Sequence, residues 1–225
     1  MYHPVMSQGP RIVYQQGDHV CTLFSSPDEQ LTAAIEYIRQ GLLRGERCLY
    51  VCGEQTPAEF RRALTAAGID AIHAEQHRSL ILLTKGTGHL KGGTFSASKM
   101  ISMLSQAVKD ALQDGFAGLC AAGDMTWILD DAPGSEQFAE YEALLNHFYQ
   151  TNRAVGLCQY NRRRLPAAIL DHGLATHPVV RIGGPHLLTN PFYELPEIAM
   201  HRTAQVHGVE DRIEQLRSGA ALPPA

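Results

Sequence analysis

Apolar residues along this chain follow two alternating rhythms. Short, nearly continuous runs recur at "HVCTLF" (19–24), "RCLYVCG" (47–53), "SLILLT" (79–84), "FAGLCAAGD" (116–124), "AVGLCQY" (154–160) and "PVVRIG" (178–183). Runs of that length, with little polar alternation, predict strands buried on both faces of a sheet. Between them the apolar positions fall at helical spacing. Leu31, Ala34, Ile35, Ile38, Leu42 and Leu43 mark a first helix that ends near Gly45. Thr56-Pro57 opens a second that Gly68 stops, a third spans 96–113, and "SEQFAEYEALLNHFYQ" (135–150) is a fourth. A short helix is expected from Pro166, and 195–219 reads as a further helical stretch. Strands alternating with helices predict an α/β domain, a mainly parallel sheet sandwiched by helices. Residues 1–16 read as a loose lead-in, 17–197 as the domain, and 198–225 as a C-terminal helix and tail.

Composition narrows the class. The 225 residues are 44% hydrophobic and 19% charged, ordinary values for a globular chain that buries a sizeable core. A net charge of -4 argues against direct binding of nucleic acid. No apolar run reaches the length of a membrane span, and "MYHPVMSQGPRIVYQQ" has no signal-peptide core. The five cysteines, an odd number, sit mostly inside the strand-like runs, so reduced thiols and a cytoplasmic location are expected.

The turn between the first strand and helix, Ser25-Ser26-Pro27-Asp28-Glu29, stands where nucleotide-binding α/β proteins carry a phosphate loop. Such a loop needs glycines, for close approach of backbone N–H groups, and a lysine. This turn has neither. Ser26 is placed as N-cap, Pro27 at the first helical position and Glu29 reaching back, so the positive helix end is already complemented by acids. "KGTGHLKGG" (85–93) has glycine and lysine but the wrong order for a phosphate loop, and reads as a turn.

Three other groups of residues carry candidate chemistry. His19 and Cys21 share a strand face, and Cys158 and His177 belong to later strand regions. His19, Cys21 and Cys158 together would make a soft-metal pocket, yet no C-x-x-C or H-x-x-x-H pair accompanies them. Buried core thiols and a hydrogen-bonded histidine are the favoured reading, so neither metal nor cofactor is expected. Asp124 ends an apolar strand, where open α/β sheets place ligand-binding groups, and Trp127 follows it. Two readings of this pair stand: the wall of an apolar pocket, or a capped strand end with the indole filling a core gap. Arg162, Arg163 and Arg164 form a basic cluster, able to grip an anion or a partner's acids.

Seven stretches in order, "GDHVCTLF", "GLLRGERCLYV", "AAGDMTWIL", "YEALLNHFY", "GLCQYNRRRLP", "THPVVRIGG" and "NPFYELPE", resemble the MEDS family. That family is the sensory domain named for methanogens, methylotrophs and the dichloromethane-responsive regulator DcmR. The second stretch also resembles the RecA/KaiC class of P-loop ATPases. By that likeness Glu54 stands at the place of a catalytic glutamate and Asp124 at that of a Walker B acid, without the phosphate loop. Asp124 also replaces a glutamate more usual at its position. The resemblance implies a RecA/KaiC-like fold and a non-catalytic sensor of small organic molecules, proposed for hydrocarbon derivatives. It also implies a signalling or transcriptional output. The pocket vacated by nucleotide would be lined by His19, Cys21, Glu54, Asp124, Trp127, Cys158, Tyr160 and His177. The flanks 1–16 and 198–225 are too short for an output module, so a protein partner in trans is expected. The apolar stripe Val206, Val209, Ile213 and Leu216 would supply a homodimer or partner contact, or pack back on the domain. A divergent nucleotide-binding protein or ATPase, and a ligand-free interaction module, are the alternatives.

Overall fold

The computed structural model describes residues 12–199 and 207–219. Seven strands form one sheet: β1 (His19–Phe24), β2 (Arg47–Cys52), β3 (Leu80–Thr84), β4 (Leu119–Asp124), β5 (Ala154–Asn161), β6 (Val179–Ile182) and β7 (Leu187–Thr189). Their order is β3-β2-β4-β5-β1-β6-β7. Every neighbouring pair is parallel except β6 with β7. The central strands are buried along their whole length, which is why their sequences show runs rather than alternation.

Helices cover both faces. On one lie α1 (Pro27–Leu43), α2 (Pro57–Ala66) and α3 (Ala71–Gln76), packed on Val20, Tyr50, Cys52, Val155 and Leu157. On the other lie α4 (Ala97–Gln113), α5 (Phe138–Thr151), α6 (Ala167–Thr176) and, after the four-residue α7 (Pro196–Ala199), α8 (Val209–Ser218). This second face packs on Cys21, Leu23, Leu49, Val51, Cys158 and Tyr160. The two cores follow the two-residue period of the strands.

Local sequence sets the helix starts. Ser26 caps α1 by accepting from the Glu29 N–H at 3.3 Å, while the Glu29 carboxylate accepts from the Ser25 N–H at 2.7 Å. The reach-back therefore lands one residue earlier than a capping box would place it. Thr56 and Glu59 form the full reciprocal box on α2. Gly156 lies in β5 because the Tyr149 ring of α5 occupies the space that a Cβ would fill.

The structure departs from the sequence reading in four places. The described part of the lead-in is anchored: Tyr14 is buried, packs edge-on against Tyr37 at 4.8 Å and accepts from Arg181 at 2.7 Å. Helix α3 was not expected, being six residues long and too short to show a period; Asp70 caps it by accepting from the His73 N–H. Strand β7 is three residues made by pairing with β6, a tertiary event. Finally, 195–219 is not one helix. Gly208 takes a left-handed φ of +74 as the N-cap of α8, so it starts that helix instead of weakening its interior. Val206 lies outside the described residues. Val209, Ile213 and Leu216 are buried against α6 and β6 of the same chain, so the stripe completes this core.

Candidate functional site

Two buried polar groups lie on opposite faces of the sheet. The first is at the C-terminal ends of the strands, under the start of α1. Asp124 accepts from Gln30 Nε2 at 2.7 Å and from the Thr126 N–H at 2.8 Å. Gln159 Nε2 donates to the Gln30 carbonyl at 3.1 Å and its Oε1 accepts from the Tyr50 hydroxyl at 2.7 Å. A Cβ at Gly53 would collide with the Asp124 carboxylate. Burial raises the Asp124 pKa above the usual carboxylate range, opposed by the hydrogen bonds from Thr126 and Gln30. This network fills the region under the α1 N-terminus with the protein's own side chains.

The second group sits on the α5–α6 face. His19 opens β1, Cys158 lies in mid-β5, and His177 ends α6 just before β6. Glu142 reaches the same point from α5. One ligand atom from each of these four side chains lies within 4.8 Å of the other three. Glu142 Oε2 is 3.4 Å from His19 Nε2 and 3.4 Å from His177 Nε2, and Cys158 Sγ is 3.5 Å from His19 Nε2. All four residues are buried. The two imidazoles lie 3.8 Å apart between centroids.

The outer nitrogens of both rings are fixed. Asn146 Nδ2 donates to the Thr176 carbonyl at 2.6 Å, which leaves Asn146 Oδ1 to accept from His19 Nδ1 at 3.3 Å. His177 Nδ1 donates to the Gly173 carbonyl at 2.7 Å. In the neutral rings both Nε2 lone pairs therefore face inward. Burial, and then the neighbouring His19, lower the His177 pKa well below the usual histidine range. Burial, followed by the Glu142 carboxylate, raises Cys158, Cys21 and Tyr160. No well-formed hydrogen bond reaches either Glu142 oxygen, His177 Nε2 or the Tyr160 hydroxyl, although both imidazole Nε2 atoms stand 3.4 Å from Glu142 Oε2 and the Tyr160 hydroxyl and Cys158 thiol lie beside that carboxylate. Buried polar atoms are normally satisfied, so this convergence of unsatisfied ones marks the site.

The expected pocket thus divides. His19, Cys158, Tyr160 and His177 come together, with Cys21 beside Cys158 in the register of β1 and β5. They gather under α5 and α6, not at the C-terminal edge of the sheet. Asp124 does not join them, because its place in β4 points it to the opposite face. Glu54 lies in the loop after β2, exposed and paired with Arg164. Trp127 follows β4 in a turn of 3-10 helix, stacked on Phe95 at 4.3 Å and His89 at 5.2 Å. Of the basic cluster, Arg162 is bound to Glu210 at 2.6 Å and Glu214 at 2.8 Å of α8, so the acids it grips are the chain's own. Arg163 is exposed.

Glu142, Asn146 and His89 escaped the sequence reading. A signal for the first two existed: Phe138, Tyr141, Leu145 and Tyr149 form the buried stripe of α5, and Glu142 and Asn146 interrupt it at helical spacing. His89 lies in the turn after β3, buried with Nδ1 unpartnered, and burial lowers its pKa to about 3. It lines a surface groove of about 720 Å³ along α4 together with Met100 and Met103. The same three residues line a small inner cavity of about 20 Å³ that reaches Gly123, Tyr149 and Cys158.

Comparison with known proteins settles the family. The model of the MEthanogen/methylotroph, DcmR Sensory domain matches residues 18–178. The chain belongs to the MEDS family. Within it, the chain is 24% identical over 161 residues to the transcriptional repressor DcmR of Methylorubrum extorquens, covering 71% of this chain. The match spans 58% of that repressor's length. A KaiC-like protein from the archaeon Pyrococcus horikoshii superposes with a TM-score of 0.53 at 14% identity, covering 75% of this chain and 72% of that one. This likeness shows the fold, which is RecA/KaiC-like as the MEDS resemblance implied. No described helix is long and apolar enough to cross a membrane.

Proposed function

We propose that this MEDS domain is a non-catalytic sensor of a small organic molecule, a hydrocarbon derivative, acting in the cytoplasm through a regulatory partner chain. Its family and its similarity to a transcriptional repressor support the regulatory part. The observation that carries the ligand part is the position of His89, Met100 and Met103. They line both an open groove and a small cavity that Cys158 also bounds, so an apolar molecule held there would lie beside the buried polar cluster. Sites of this kind, mostly apolar with a few convergent polar groups, suit small ligands. Nucleotide is the weaker reading: Ser26 and Glu29 occupy the N-H groups at the α1 start, and Asp28 adds negative charge there.

Calorimetry with short alcohols, halocarbons and Mg-ATP tests this reading. Binding of an apolar compound that is lost in Met103→Trp, with no ATP binding, is the expected result. Micromolar ATP affinity abolished by Arg163→Ala, with no response to any apolar compound, would replace the sensor by a nucleotide-binding protein.

A further inference from the structure

Glu142 is fully buried, and no well-formed hydrogen bond reaches either carboxylate oxygen. A buried carboxylate that has only long contacts, 3.4 Å to each imidazole Nε2, is costly unless something positive is held against it. We propose that His19, Glu142, Cys158 and His177 bind one divalent transition-metal ion of the zinc class. This inference stands on the cluster alone and does not depend on what enters the α4 groove.

Three observations carry it. The first is spacing. An ion held tetrahedrally at about 2.0–2.3 Å from nitrogen, oxygen and sulfur keeps its ligand atoms roughly 3.3–3.7 Å apart. The Glu142–His19, Glu142–His177 and Cys158–His19 separations are 3.4, 3.4 and 3.5 Å. The remaining pairs lie within 4.8 Å, so small side-chain adjustments close the tetrahedron.

The second is tautomer control. A ligating imidazole normally donates its other N–H to a fixed acceptor. His19 Nδ1 has Asn146 Oδ1 and His177 Nδ1 has the Gly173 carbonyl, each on the side away from the cluster. Asn146 in turn is oriented by the Thr176 carbonyl. The support for both rings is built before any ion arrives.

The third is charge. Two neutral imidazoles, one carboxylate and one thiolate sum to -2, which a divalent cation cancels in a dry site. Binding would release the Cys158 thiol proton to solvent, since the thiolate is the ligand form. One soft sulfur with two imidazoles and a carboxylate suits zinc or cobalt(II) better than magnesium or calcium, which prefer oxygen. Cys21, expected beside His19 and Cys158, is not among the converging atoms; Glu142 and His177 complete the set.

The test uses the full chain, stripped of metal with a chelator and titrated with cobalt(II) and then zinc(II). Stoichiometric cobalt binding with an intense sulfur-to-cobalt absorption, displaced by zinc, is expected. Cys158→Ser should abolish that absorption, and Asn146→Ala should weaken zinc binding by about 10–100-fold through loss of ring support. The exposed His73 and His77, stacked 3.9 Å apart on and just after α3, are the adventitious alternative. His73→Ala/His77→Ala should change nothing. Failure of the wild-type chain to bind, or binding lost only in the His73/His77 variant, overturns the proposal. Should Cys158→Ser not fold, X-ray absorption of the zinc-loaded wild type decides. A sulfur plus two imidazoles in the shell supports the site, and a shell without sulfur refutes it.

Discussion

Polar side chains are buried on both faces of one sheet, and the two faces treat them differently. Under α1, Asp124, Gln30, Gln159 and Tyr50 bond to one another and to nearby backbone. Under α5 and α6, His19, Glu142, Cys158 and His177 converge with Cys158 bonded to His19 and with the Glu142 oxygens and His177 Nε2 left short of hydrogen bonds. The first arrangement pairs its carboxylate and amide groups; the second has acceptor capacity left over.

Paired substitutions in metal-free protein give the largest expected contrast. Asp124→Ala leaves Gln30 Nε2 and the Thr126 N–H unpaired in a buried place, and should cost about 2–4 kcal/mol in urea denaturation. Glu142→Leu removes a buried charge at the cost of weak contacts from the Tyr160 hydroxyl and the Cys158 thiol, so it should leave stability unchanged or raise it by about 1–2 kcal/mol. Equal losses for both would mean that the α5–α6 cluster is satisfied by protein alone.

His89 provides the next largest effect. Its folded pKa, lowered by burial to about 3, lies below the ordinary value of 6.5. The unfolded chain therefore binds the proton first as pH falls. Stability from the neutral imidazole is fully present above pH 6.5 and is lost at about 1.4 kcal/mol per pH unit between 6.5 and 3. Comparing His89→Phe with wild type at pH 6.5 and pH 5 should reveal a difference of roughly 2 kcal/mol in pH dependence. Parallel pH profiles would show that His89 is hydrated through the groove.

The smallest effect concerns α8. Arg162→Met removes ion pairs whose acids, Glu210 and Glu214, are half-exposed at 54%, so the loss should stay under about 1 kcal/mol. Hydrogen exchange should show faster opening of α8 with the sheet unaffected. A change in mass by light scattering would instead return Arg162 to a role between chains.

The sequence by itself determined the layered α/β architecture, the strand positions and most helix starts. Those depend on local period and caps such as Ser26, Thr56 and Ser96, which are written within a few residues. It also brought His19 and Cys21 onto one face, because strand side chains alternate. Sheet order was not local, and it decided the site: β1 lies between β5 and β6, so His19 meets Cys158 and His177, while Asp124 in β4 turns to the other face. Glu142 and Asn146 were legible only as polar interruptions of an apolar stripe on α5. What they face depends on where α5 lands on the sheet. The fate of Arg162 was likewise set by α8 returning to the domain. Helices and strands are fixed by neighbours along the chain, whereas a four-residue cluster drawn from 19, 142, 158 and 177 exists only after long-range packing has closed the distance.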